Sequence, residues 1–129
     1  MPDVRVLVVD DDVDYRLLLR MQLELERGLD VVGEAGDGIE ALEAVGEFGP
    51  DVIVLDLMMP RMDGFEAIVH LQRDHPNVGV VAYTAVPSPA AQEHTSKYGV
   101  TLLRKSGDIT RLANELRELA ARRSSDAPE

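Results

Sequence analysis

A doubly wound α/β fold, a five-stranded parallel sheet with five helices, follows from three features of this 129-residue chain. Short β-branched runs alternate with amphipathic stretches along its length. Four of the five runs lack polar alternation, so both of their faces must be covered, as happens when helices lie on each side of a parallel sheet. Asp10-Asp11-Asp12, Asp56, Thr84 and Lys105 each follow such a run. Right-handed crossovers bring those strand ends to one edge, where ligands of doubly wound folds bind.

Strands are predicted over 4–9, 30–35, 51–55, 78–83 and 100–104, and helices fill the intervals. Asp12 and Asp14 suit the cap and first turn of the first helix, whose core stripe is taken as Leu18, Met21 and Leu25 with Leu17. Gly28 is its stop signal. Asp37-Gly38-Ile39-Glu40 and Asp63-Gly64-Phe65-Glu66 each set an acceptor three residues before a Glu, so Asp37 and Asp63 are capping residues of helices two and three. Leu42 and Val45 line the second helix, and Phe65, Ile68 and Leu71 the third. The fourth, over 88–98, is confined by Pro87 and Pro89 and has the weakest apolar stripe, which makes it the element readiest to shift. Ile109, Leu112, Ala113, Leu116 and Leu119 form the last stripe. One domain is expected over 1–121, with 122–129 a flexible tail or linker stub. His70, His75 and His94 are expected at the surface, and no exposed apolar stripe declares a dimer interface.

Composition removes several classes. A chain of this length can bury its own core without staples, and the absence of cysteine excludes disulfide frameworks and thiolate metal sites and fits a cytoplasmic protein. No apolar run reaches the roughly 18 residues of a membrane span, and Met1-Pro2-Asp3 is acidic where a signal peptide is basic. The formal charge of −11 argues against direct contact with nucleic acid, whose phosphates need Lys and Arg.

The chemistry lies in the four strand ends. Carboxylates gathered there repel one another, and they stay ionised together only if a cation neutralises them. Mg²⁺ (or Mn²⁺), with Asp11, Asp56, a backbone carbonyl near Met58 and waters, meets the octahedral oxygen requirement. An aspartate so placed can attack phosphorus, with Lys105 and Thr84 holding the transferred oxygens. Asp10-x-Asp12-x-Asp14 fails as a calcium loop, because Tyr15 stands where Gly is required and Met21 where Glu is required. Gly33, Gly36 and Gly38 have the wrong spacing for a dinucleotide fingerprint.

Val9-Asp10-Asp11, Leu55-Asp56-Leu57-Met58-Met59-Pro60 followed by Met62-Asp63-Gly64, Tyr83-Thr84-Ala85 and Arg104-Lys105-Ser106, in this order, resemble the receiver domains of two-component response regulators over about 4–121. The resemblance implies a flavodoxin-like strand order of 2-1-3-4-5. It also implies roles: Asp56 as phosphoacceptor, Asp11 as direct metal ligand, Asp10 as outer ligand, the Met58 carbonyl as a further ligand, Thr84 as sensor and Lys105 as clamp. Such a domain takes phosphate from a histidine kinase or phosphotransfer protein and then hydrolyses it. It catalyses its own modification without being a conventional turnover enzyme. The implied readout is the surface of helix four, strand five and helix five, offered to an output domain or a second copy.

Three residues depart from the common pattern. Leu102 stands where receivers commonly have Tyr or Phe, which weakens the implied switch. Ser106 replaces a frequent proline, as in regulators resembling the nitrate-response type. Arg104 suits a guard role on an edge strand. Leu102 keeps alive a rival, a pseudo-receiver that binds partners without phosphorylation. A small-molecule phosphatase is disfavoured, because no second general acid is present.

Overall fold

The computed structural model describes residues 3–126, so Met1 and Pro2 of the N-terminal start and residues 127–129 of the expected tail lie outside it. The chain runs β1 (Val4–Val9), α1 (Val13–Glu24), β2 (Leu29–Ala35), α2 (Gly38–Phe48), β3 (Val52–Leu55), α3 (Gly64–Asp74), β4 (Gly79–Thr84), α4 (Pro89–Lys97), β5 (Thr101–Arg104) and α5 (Ile109–Asp126). All strands are parallel and the sheet order is β2-β1-β3-β4-β5. This is the doubly wound order that the sequence resemblance implies.

Alternate strand residues serve opposite layers, as the period of two requires. Leu7, Val9, Ile53, Leu55, Val80 and Ala82 pack against α2, α3 and α4. Val6, Val8, Val52, Val54, Val81 and Tyr83 pack against α1 and α5. Each fully buried Val, Leu or Ile of these layers contributes about 1.5–3 kcal/mol. Only β2, at one edge of the sheet, alternates cleanly between buried and open positions. No helix among the described residues is long and apolar enough to cross a membrane.

The first helix corrects the sequence reading. Leu19 and Leu23 face the core, whereas Leu17, Leu18, Met21 and Leu25 are 51–87 % exposed. Apolar residues surround this helix, so periodicity alone cannot choose its inner face. Arg16 and Arg20 make that choice, since both reach Glu34 on β2, at 2.9 and 2.6 Å, and turn the helix so that Leu19 and Leu23 point inward. An exposed apolar stripe therefore exists where none was expected. The helix also ends at Glu24 with Leu25 as its cap, before Gly28, which instead forms the left-handed turn whose carbonyl accepts the Val4 N–H at 2.8 Å.

Elsewhere the boundaries agree with the sequence reading. Asp37, Asp63 and Ser88 cap α2, α3 and α4 through the Glu40, Glu66 and Ala91 N–H groups. The last helix runs on through residues expected in the tail, to Asp126, with Arg122 paired to Glu115 and Glu118 and Arg123 donating to the Pro76 carbonyl. The three histidines are half-buried rather than surface residues. His94 ties α4 to α3 through the Phe65 carbonyl at 2.8 Å.

Candidate functional site

The carboxylates converge because the central strands are in register. Asp56 N–H donates to the Val9 carbonyl at 2.9 Å and Asp10 N–H to the Ala35 carbonyl at 3.0 Å, so the residues ending β1 and β3 sit side by side. Oxygens of Asp10, Asp11 and Asp56 lie within 4.8 Å of one another. Asp10 and Asp56 are buried and Asp11 is exposed, which leaves the cluster open on one side.

Lys105 closes the other side. Its Nζ donates to Asp10 Oδ2 at 2.7 Å and lies 3.7 Å from Asp56 Oδ2. Its backbone N–H donates to the Thr84 carbonyl at 2.8 Å, fixing the end of β5 against the end of β4. Thr84 is buried at that same edge. The Asp10 carboxylate also accepts the Asp12 N–H at 2.9 Å, and Asp12 in turn caps α1 through the Asp14 and Tyr15 N–H groups.

Burial pushes the Asp56 carboxyl above its ordinary range; Lys105 opposes this, and the Asp10 and Asp11 charges add to it. One ammonium does not balance three carboxylates. The set consists of hard oxygen donors with a charge deficit, which fits a small divalent cation such as Mg²⁺. Met58 sits in the loop beyond Asp56, 71 % exposed as a residue, with its N–H 3.5 Å from Asp56 Oδ1.

Two features of this edge escaped the sequence reading. Arg61 adopts a left-handed backbone at φ 63°, and its guanidinium reaches the fully buried Asp37 carboxylate and Glu40 Oε2. Gly38 N–H donates to the Met62 carbonyl at 2.8 Å, so the α2 cap is bolted to the loop that carries Met58. A Cβ on Gly64 would collide with the Asp56 carbonyl oxygen, which makes glycine necessary where α3 starts. Burial alone would raise the Asp37 carboxyl, but the Glu40 N–H and the Arg61 guanidinium outweigh it and hold the group below its ordinary value. The second feature is Tyr15, whose ring lies under Lys105 with Nζ 4.4 Å from its centroid. A tyrosine in the first turn of a helix carries no local sign of such a contact.

Comparison with known proteins gives one consistent result. A response regulator receiver domain model matches residues 6–117. A protein-glutamate methylesterase/protein-glutamine glutaminase of Myxococcus xanthus is 42 % identical over 114 residues, covering 87 % of this chain and 32 % of that relative. The chain thus spans about a third of that protein's length. The response regulator domain of Thermotoga maritima CheB superposes with a TM-score of 0.80 at 30 % identity, covering 98 % of this chain and 99 % of that one. The receiver domain of the putative response regulator NarL from Mycobacterium tuberculosis gives 0.83 at 31 % identity, covering 94 % and 98 %.

Proposed function

The chain belongs to the response regulator receiver domain family of two-component systems, and from that premise we propose that it is a switch phosphorylated on Asp56. The observation that carries the reading is the meeting of Asp10, Asp11, Asp56 and Lys105 at one sheet edge. Asp11, Asp56 and the Met58 carbonyl would hold Mg²⁺ directly, with Asp10 acting through water. The cation supplies charge neutralisation for a phosphoryl group in transit.

An Asp56 carboxylate oxygen attacks the phosphorus of a phosphohistidine on a sensor kinase or phosphotransfer protein. The P–O bond forms as the P–N bond breaks, and the imidazole leaves as the neutral ring after taking a proton. Hydrolysis later returns Asp56 and inorganic phosphate. Lys105 leaves Asp10 for a phosphoryl oxygen, and Thr84 donates its hydroxyl to another, drawing the β4–α4 loop inward. The altered α4, β5 and α5 surface is the signal. An output domain joined beyond residues 122–129, or a second copy, reads it within the cytoplasm.

Incubation with acetyl phosphate and Mg²⁺, followed by intact mass measurement, tests the reading. One phosphate adduct is expected, lost in Asp56→Asn and lost on chelation of Mg²⁺. Leu102 favours a second reading, in which the domain binds partners without phosphorylation. Absence of an adduct in the unaltered protein would select it.

A further inference from the structure

The Lys105 ammonium has a third neighbour that the phosphorylation reading leaves unused. Besides Asp10 and Asp56, it faces the ring of Tyr15, 4.4 Å from the centroid. That ring is set firmly. The Tyr15 N–H is bound by the Asp12 carboxylate at 3.1 Å at the α1 cap, and its body packs on the α1/α5 layer of the core. The Lys105 side chain is only 16 % exposed. An ammonium over an aromatic face is attracted by the ring quadrupole, and the attraction grows as water is removed.

We propose that Tyr15 is a positioning residue for Lys105: its ring holds the ammonium in the site while the lysine exchanges the Asp10 carboxylate for a phosphoryl oxygen. The inference rests on the phosphorylation reading for its consequence, although the contact itself does not. A cation among the three carboxylates weakens the attraction of Asp10 for the ammonium and repels it. Without a further anchor, a four-carbon stem would swing toward solvent and lose rotamer order. A neutral π-face keeps its hold when the carboxylates are claimed by metal. The phenol stays neutral, because burial, then Tyr83, Asp10 and Asp56, push its ionisation above the ordinary range.

Four variants and one label test this. The chain has two lysines, Lys97 and Lys105, so lysine-selective ¹³C labelling gives two ε-methylene signals, assigned by Lys97→Arg. The Lys105 signal is expected upfield from ring current in the unaltered protein and in Tyr15→Phe, and at its ordinary position in Tyr15→Leu. Adduct formation from acetyl phosphate is expected to slow about fivefold in Tyr15→Leu, to stay within about twofold in Tyr15→Phe, and to leave the Mg²⁺ midpoint unmoved. In a Lys105→Gln background, Tyr15→Leu should add no further slowing, since the ring then has no ammonium to hold. Equal slowing in both backgrounds, equal loss in Tyr15→Phe and Tyr15→Leu, or a Lys105 signal indifferent to Tyr15→Leu would overturn the proposal. If the unaltered protein forms no adduct, the phosphorylation reading fails, and the lysine signal alone still decides the contact.

Discussion

Around Asp56 the loops are cross-tied beside two buried strands, whereas α4 and β5 bury few residues and are held mainly by His94 on the Phe65 carbonyl and the Lys105 N–H on the Thr84 carbonyl. On the first side, Asp37 meets Arg61, Gly38 meets Met62, and Gly64 N–H reaches the Leu57 carbonyl at 3.0 Å. The strands feeding that side are buried throughout from Val6 to Val9 in β1 and from Val52 to Leu55 in β3. On the other side, α4 buries only Ala91 and Thr95, and β5 only Leu103. A cleft of about 430 Å³ opens there among Thr95, Val100, Leu102, Arg104 and Arg111. Geometry that must not vary is thus placed in the part with the higher cost of opening, and motion is left to the part with few buried contacts.

The contrast can be broken or sharpened by substitution. Leu55→Ala, at a fully buried β3 position, is expected to cost about 3–4 kcal/mol in urea unfolding; a loss under about 1.5 kcal/mol would mean the rigid half is less tightly packed than its burial implies. Next comes Arg61→Ala, which strands a buried carboxylate and should cost about 1–2 kcal/mol, reduced by the guanidinium's own exposure. Because the Asp37 carboxyl titrates low in the fold, its contribution is present above the unfolded value near pH ~3.9 and is lost as pH falls through the folded value. The deficit of Arg61→Ala should therefore be full at neutral pH and close in acid. A deficit constant with pH would show that the pair is not its source.

A smaller effect of opposite sign is expected for Asp56→Asn. The raised carboxyl favours the fold only at low pH, and that advantage disappears as pH rises through the folded value, so ionised Asp56 burdens the metal-free protein at neutral pH. The amide should stabilise by on the order of 1 kcal/mol at pH 7 without divalent cation, with the gap closing at low pH and with added Mg²⁺. Destabilisation at pH 7 would refute the charge argument. The smallest change is expected from Leu102→Ala, at about 1 kcal/mol or less, since half-buried Leu102 borders the cleft. Hydrogen exchange should mirror the same order, with α4 amides exchanging well before those of β1 and β3.

Local chemistry made much of this legible from residues alone. The strands announced themselves as β-branched runs, and Asp37, Asp63 and the Pro87/Pro89 pair announced helix starts. The acidic edge followed from where the runs stop. What stayed hidden depends on distant partners. The inner face of α1 is chosen by Glu34, which lies 14 and 18 positions from its two arginines. Arg61 occupies a conformation that usually belongs to glycine, so nothing in its neighbourhood betrays the Asp37 contact. Tyr15 gains its role only when β5 delivers Lys105. The C-terminal helix outran expectation because Arg122 and Arg123 find partners on Glu115, Glu118 and the Pro76 carbonyl.

The 95 positions that separate Asp10 from Lys105 also matter for biosynthesis. A ribosome releases all three aspartates well before the lysine that offsets them, and the early strands can begin to associate first. Until β5 emerges, the nascent chain carries a naked anionic notch. Mobile cations from solution are then its counter-charge, so low ionic strength should slow folding of newly made chains more than it harms finished ones.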